Sequence, residues 1–188
     1  MCSSDLVRCG GRLHDGGSHR YFGFTPDLAV YSKALGNGYS ISACAGAEEY
    51  RQAAAEVFLT GSCWNDAIAM TAALRSLELS AQGRVAESVL KKGERFCSSL
   101  EKIAAERGVP LRMTGPSSMP YPWIDGDKSL FQIQGLCREA ARQGLYLHPH
   151  HNWFISNAMT DADIDEALSS AAVAMDRFVE SANGPAIS

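Results

Sequence analysis

The sequence predicts an α/β fold in two parts, and three observations lead to this prediction. Residues 1–45 contain short apolar runs between glycine-rich turns, a pattern typical of buried strands. Longer segments with apolar residues at helical spacing follow. After residue 108 the pattern changes to short segments that prolines interrupt. We therefore expect a partial larger α/β domain followed by a small α+β domain.

The first part is predicted to contain two strands and then two helices. Leu28–Tyr31 and Tyr39–Cys44 have the length and residue types of buried strands. Glu48–Phe58 and Asp66–Leu79 have the length and spacing of helices. The second of these helices carries an apolar stripe, formed by Ile68, Met70, Ala73, Leu74 and Leu77.

A third helix is predicted between Gly83 and Gly108, because apolar residues recur at helical spacing until a glycine ends them. The stretch Ser80–Arg84 separates it from the helix before. We place a domain boundary there, so that residues 1–82 form one domain and residues 83–188 the other. The apolar face consists of Val89, Phe96, Cys97, Leu100, Ile103 and Ala104.

The rest of the chain is predicted to combine short strands with two helices. Strands are expected at Pro110–Thr114 and Leu145–His148, with a helix from about Lys128 to Gln143 between them. Three prolines break the stretch before that helix. Thr160 is a good N-cap for a last helix whose first turn is acidic. One face of that helix is apolar, with Ile164, Ala167, Leu168, Ala171, Met175, Phe178 and Val179.

Composition and charge exclude several classes of function. The chain is 46% hydrophobic and 20% charged, as ordinary globular proteins are. It has 17 Lys and Arg residues against 21 Asp and Glu, for a net charge of −4. Such a balance provides no counterion-release drive toward nucleic acid and no polybasic surface for anionic lipid. We expect neither nucleic acid nor membrane as a partner.

The cysteines and the termini favour a reducing compartment. Six cysteines are irregularly spaced, without a C-x-x-C pair or a histidine at metal-ligand spacing, and we interpret them as small, partly buried hydrophobic residues of a protein in a reducing compartment. No secretory leader and no apolar run of roughly 20 residues is visible. We therefore expect a cytoplasmic protein.

A histidine cluster raises the question of a metal site. His148, His150 and His151 lie on one short segment, and three ligands so close in sequence cannot all face one ion without a fourth from elsewhere. No metal is expected.

Lys33 is the first candidate for chemistry. It follows an apolar strand directly, and the Gly-x-Gly turn Gly36–Gly38 comes after it. A strand end that faces a glycine turn can desolvate an amine, as a Schiff-base nucleophile requires, and the glycines let backbone approach a ligand. The alternative is a solvated lysine at a strand-to-turn junction.

Lys33 also ends a longer pattern, which begins at Asp5 and contains an aromatic-Gly-x-x-Pro-Asp-Leu segment. This pattern resembles the signature of the class III aminotransferases, which use pyridoxal phosphate, and glutamate-1-semialdehyde aminomutases are among the relatives it is close to. The segments Trp64–Met70, Tyr146–Pro149 and Thr160–Ile164 also resemble that family. The matching residues are Asp5, Val7, Gly10, Arg12, Gly16, Gly17, Gly23, Pro26, Asp27, Leu28, Ser32 and Lys33.

The resemblance implies a fold type I pyridoxal-phosphate-dependent transferase, of which this chain is the C-terminal portion. Family members place the phosphate-binding loop and the aromatic that stacks on the cofactor before the position of Asp5. The implied function is a transaminase that moves an amino group from an amino acid or amine to a keto or aldehyde acceptor. Two alternatives stay open, an aminomutase and a truncated chain without activity.

The resemblance also implies roles for individual residues. Lys33 would form the Schiff base, Asp5 would pair with the pyridinium nitrogen, and Val7 would pack on the ring from the same strand as Asp5. Ser62, with Thr60 second, would reach the cofactor phosphate of a neighbouring subunit, which implies a homodimer. The alternative for both hydroxyls is capping the next helix.

A loop in the second part is the last candidate. By resemblance Asn152 and Trp153 would contact substrate, whereas a solvated loop is the alternative, above all for His150 and His151.

Overall fold

In the computed structural model, which describes residues 3–58 and 60–183, the chain divides into two units. The first unit ends at Glu87 and the second begins at Ser88. A unit defined by its internal contacts is not yet a domain that folds alone. The domain limits 1–82 and 83–188 therefore stay a prediction.

The first unit is built on a three-stranded sheet with its strands in chain order. The first two strands are parallel, and the third runs antiparallel to the second. The predicted strand at 28–31 is confirmed. The strands are β1 (Ser3–Asp5), β2 (Leu28–Tyr31) and β3 (Ala43–Gly46).

β3 begins four residues later than the predicted strand Tyr39–Cys44. The Tyr39 amide donates to the Gly36 carbonyl at 3.1 Å, so Tyr39 still belongs to the turn. Pairing with β2 begins only where Ala43 stands opposite Tyr31. A run of apolar residues thus shows that a strand is near but does not fix where the turn before it ends.

Three α-helices lie wholly within the described residues of the first unit, and the two predicted ones are confirmed. The segment 48–56 is helical, with a 3-10 turn that leads into α2. The next helix extends to Gly83 and ends where Arg84 takes a left-handed φ of 48°. The helices are α1 (Ser18–Tyr21), α2 (Arg51–Glu56) and α3 (Ala67–Gly83).

Most of the apolar stripe predicted for α3 is exposed, and of its five residues only Ala73 is buried. Ile68, Leu74 and Leu77 are 68%, 60% and 51% exposed, and in this helix only Ala69 and Ala73 are buried. α3 therefore packs through the small side chains of Ala69 and Ala73, and the larger apolar side chains of the stripe lie outside that contact.

The second unit combines helices with a two-stranded antiparallel sheet. Its largest fully buried apolar side chains are Leu100, Ile124, Ile133 and Met175, each from a different element. The helix predicted between Gly83 and Gly108 is confirmed, and most of it lies in this unit. The elements are α4 (Val85–Glu106), β4 (Leu111–Thr114), β5 (Tyr121–Ile124), α5 (Phe131–Arg142) and α6 (Asp161–Asn183).

β5 was not expected, because its sequence contains Pro122. The strand nevertheless pairs with β4 along its whole length, with Pro122 opposite Met113. β5 has a partner strand on one side only. On its other side no backbone N–H has to donate to a neighbouring strand, so a proline is tolerated there.

The predicted strand at Leu145–His148 is wrong, since these residues form no regular element. The Leu145 amide donates to the Ala140 carbonyl at 3.0 Å and so belongs to the end of α5. α5 also starts later than predicted, because the buried carboxylate of Asp127 accepts from the Ile133 amide at 2.9 Å and fixes its first turn.

α6 starts as the sequence predicts. The Asp163 amide donates to Thr160 Oγ1 at 3.2 Å, and the Asp163 carboxylate accepts from the Thr160 amide and hydroxyl. These hydrogen bonds lower the pKa of the Asp163 carboxyl. Among the described residues no helix is long and apolar enough to span a membrane.

We predict that the cysteine thiols differ strongly in reactivity. Burial raises the pKa of Cys137 to about 12, and burial together with Glu101 raises that of Cys97 to about 11, so both stay protonated at about pH 8. Cys44 and Cys63 are exposed. Iodoacetamide followed by peptide mass mapping should label this exposed pair at least about 100-fold faster.

The same reaction in urea is the control, because unfolding removes the burial and should equalise the rates. Equal rates in the folded chain would show that the cores around Cys97 and Cys137 are not formed as described.

Candidate functional site

An amine and a carboxylate lie at one edge of the sheet in the first unit. Asp5 is the last residue of β1 and stands opposite Val30 of β2. Lys33 follows Val30 by three positions, just after β2 ends. Both charged side chains are exposed. The carboxyl edge of parallel strands is where α/β proteins commonly bind ligands.

The turn after β2 holds Lys33 in an uncommon conformation. Lys33 has a φ of 50°, in the left-handed region that non-glycine residues rarely adopt. The Lys33 carbonyl accepts from the amides of Gly36 at 3.1 Å and Asn37 at 3.0 Å, which closes the turn. Such a conformation persists only when its surroundings enforce it, and it is common at functional sites.

We call residues 32–41 the lysine turn. Two serine hydroxyls hold it in place. Ser32 Oγ donates to the Ile41 carbonyl at 2.8 Å and ties the two ends together. Ser76 Oγ, from α3, donates to the Ala34 carbonyl at 3.1 Å. A Cβ at Gly36 would lie 2.2 Å from the Tyr39 carbonyl oxygen, so glycine is required in the middle.

Ser76 is a residue that the sequence did not single out. In the sequence it is one polar position in a helix, and its partner lies 42 residues away. The sequence shows only the helical spacing of the apolar residues around Ser76. That spacing does not identify a hydrogen-bond acceptor in another element.

Val7 does not continue the strand of Asp5, so that expectation is wrong. β1 ends at Asp5, whose Oδ1 accepts from the Val7 amide at 2.9 Å. The Gly10 amide then donates to the Leu6 carbonyl at 2.8 Å. An aspartate that accepts from the amide two residues on starts a turn, and this ends the strand. Val7 lies half-buried beside Asp5, but on that turn.

The loop before α3 carries Thr60 and Ser62, both exposed. The cap of α3 is Asp66, whose Oδ1 accepts from the amides of Ile68 at 3.0 Å and Ala69 at 3.4 Å. The alternative role of Thr60 or Ser62 as the helix cap is therefore wrong.

A cavity of about 700 Å³ lies between this loop and the lysine turn, all within the first unit. Hydroxyl, amide and carboxylate groups share its wall with apolar side chains. The lining residues are Ser32, Ser40, Ile41, Ser42, Gly61, Cys63, Trp64, Asn65, Asp66, Ala69 and Met70.

In the second unit Asn152 and Trp153 hold their loop in place. Trp153 is 7% exposed, and its Nε1 donates to the His148 carbonyl at 2.8 Å. Its ring meets that of Phe96 edge to face. Asn152 Nδ2 donates to the Met119 carbonyl at 2.9 Å. A role of either residue in contacting substrate stays a prediction.

The histidines of this loop contact one another. His148 Nδ1 accepts from the His150 amide at 3.0 Å, and the ring centroids of His148 and His151 are 6.0 Å apart. In the part of the chain that is described, no group of three His, Cys, Asp or Glu side chains is arranged to hold a metal ion.

Comparisons with known proteins find one family. Residues 5–174 match the family described as Aminotransferase class-III. The chain is 34% identical over 164 residues to an aminopentol aminotransferase of Sphingopyxis macrogoltabida, covering 87% of this chain and 39% of that protein. It is 30% identical over 183 residues to a glutamate-1-semialdehyde 2,1-aminomutase of Desulfitobacterium hafniense, covering 89% of this chain and 42% of that protein.

A solved structure is similar throughout. The FumI protein of a Sphingopyxis species, in its PLP internal aldimine form, superposes with a TM-score of 0.92 and 32% identity, over 97% of this chain and 44% of that one. The chain thus spans about 40% of the length of the relatives it matches.

Proposed function

This chain belongs to the class-III aminotransferase family, and from that membership we propose that it carries the lysine side of a pyridoxal-phosphate-dependent transaminase. The reaction moves an amino group from an amino acid or amine to a keto or aldehyde acceptor. One observation carries the proposal: Asp5 and Lys33 lie at the same edge of parallel strands, with both side chains exposed.

The residues present fit pyridoxal phosphate. The cofactor has an aldehyde, a pyridine nitrogen and a phosphate, and the first unit offers a primary amine, a carboxylate and loop hydroxyls. When bound, the cofactor supplies a ring that accepts electrons from the substrate carbon that loses its proton. Each role below is assigned to a group of this chain.

Lys33 would hold the cofactor covalently, through a Schiff base between its Nζ and the aldehyde carbon. The same amine would also serve as the general base that accepts the proton from the substrate α-carbon. Both roles require an amine held at a fixed place, and the closed lysine turn supports this.

Asp5 would accept a hydrogen bond from the protonated pyridine nitrogen, because a carboxylate at hydrogen-bond distance favours the charged form of that nitrogen. Its Oδ1 already accepts from the Val7 amide, which orients the carboxylate. Val7, next to it on the turn, would contact the ring.

Ser62, with Thr60 second, would donate to the cofactor phosphate of a neighbouring subunit. The support is that Asp66 caps α3, so neither hydroxyl is used for that purpose. A homodimer is part of this proposal. In the second unit, Asn152 and Trp153 would contribute to substrate binding through the loop that they anchor.

The protein is proposed to act in the cytoplasm. Cysteines at 9, 44, 63, 97 and 137 are free thiols, which favours a reducing compartment.

We predict that the chain takes up pyridoxal phosphate at Lys33 and acquires a visible absorption band. Borohydride reduction followed by peptide mapping should place the label on Lys33. Lys33→Arg should abolish the band and leave only the weak, unselective labelling of other exposed lysines, because guanidinium keeps the charge but is no nucleophile. Lys102→Arg, at an exposed site in the second unit, is the control and should retain both the band and the label on Lys33.

No band in the unmodified chain would support the alternative that this chain by itself is inactive. A band that survives Lys33→Arg would contradict the assignment of Lys33.

An aminomutase is the second candidate function, and the match to a glutamate-1-semialdehyde 2,1-aminomutase favours it. Amino donor alone, added to the cofactor-loaded protein, should release about one keto acid per site if the protein is a transaminase. A mutase transfers the group within one molecule and should release none. Chromatographic detection of the keto acid distinguishes the two.

A further inference from the structure

We propose that Ser76 is a positioning residue for Lys33, an inference that rests on the proposed role of Lys33. Ser76 lies in the middle of α3 and is half-buried. Its Oγ donates to the carbonyl of Ala34, the residue that follows the lysine, at 3.1 Å. α3 thereby contacts the lysine turn one residue after the left-handed Lys33.

The lysine turn needs a restraint of this kind. A left-handed φ is unfavourable for a lysine, so Lys33 tends to leave this conformation unless contacts around it oppose the change. The bond from Ser32 to Ile41 ties the two ends of the turn. The bond from Ser76 acts nearer to the lysine, because it holds the carbonyl of Ala34, the residue that follows Lys33.

Two other helical hydroxyls bond within their own helix. Thr71, also in α3, donates to the Ala67 carbonyl of its own helix at 2.7 Å. Ser98 of α4 donates to the Glu94 carbonyl in the same way. This local bonding is the usual alternative for a hydroxyl within a helix. Ser76 instead donates to a separate element.

Loss of the Ser76 hydroxyl should let Lys33 leave its left-handed backbone conformation. The Lys33 amine would then spend less time where an aldehyde can reach it in the correct orientation. A positioned nucleophile reacts faster only while its geometry is held. Reaction at Lys33 should therefore slow, whereas the reaction rates of the other lysines should not change.

The experiment labels the full chain with pyridoxal phosphate and borohydride at low conversion. Peptide mapping then gives the ratio of label on Lys33 to label on Lys102, an internal reference in the second unit. Lys33 is the only lysine among residues 1–87, so its peptide is unambiguous.

The central comparison is between Ser76→Thr and Ser76→Val, which differ by a hydroxyl in place of a methyl. Ser76→Val and Ser76→Ala should lower the label ratio about fivefold, the effect of one typical hydrogen bond. Ser76→Thr should keep it within about twofold of the unmodified chain. Thr71→Ala is the matched control in the same helix and should leave the ratio unchanged.

The two proposals fail differently. If the unmodified chain shows no preference for Lys33 over Lys102, the proposed function fails. If it shows the preference and Ser76→Val keeps it, the role of Ser76 is overturned. Circular dichroism confirms folding. If Ser76→Ala unfolds, the comparison of Ser76→Thr with Ser76→Val decides the role of Ser76. Threonine and valine have the same shape and similar helix propensities.

Discussion

The parallel pairing of β1 and β2 is the constraint on which the proposed site depends. The register that places Asp5 opposite Val30 also fixes where each strand ends, and so brings a carboxylate and an amine to one edge. A slip of one residue would turn every side chain of β1 to the other face of the sheet. Neither charged group alone indicates a cofactor, whereas the two together match its pyridine nitrogen and its aldehyde.

The conformation of the lysine turn depends on α3. Its alanine side, with Ala69 and Ala73 buried, lies on the first unit and brings Ser76 within hydrogen-bond distance of the turn. Asp66 fixes the start of the helix and thereby also the loop that carries Ser62. One helix thus sets both the lysine turn and the loop proposed to meet the phosphate.

Much of the fold follows from patterns that are local in sequence. α3, α4 and α6 have helical spacing and clear ends, and β2 is an apolar run between turn residues, so all four are predicted. β5 is missed because Pro122 argues against a strand unless its position at an edge is known. Residues 145–148 look like a strand but have no strand to pair with.

The candidate site divides in the same way. Asp5 and Lys33 are found because they stand in a long pattern. The turn at Val7 and the contact of Ser76 are not, because each depends on which atoms meet after folding. Hydrogen bonds between distant residues leave little trace in one sequence.

The most direct test of the shared edge is the protonation of the pyridine nitrogen after the cofactor has been fixed on Lys33 by borohydride. With nitrogen-15 in the cofactor ring, NMR titration reports the pKa of that nitrogen. We predict that the pKa is higher in the unmodified chain than in Asp5→Asn by about one unit or more, because the carboxylate stabilises the protonated ring. Identical titrations in the two chains would show that Asp5 and Lys33 do not serve one cofactor.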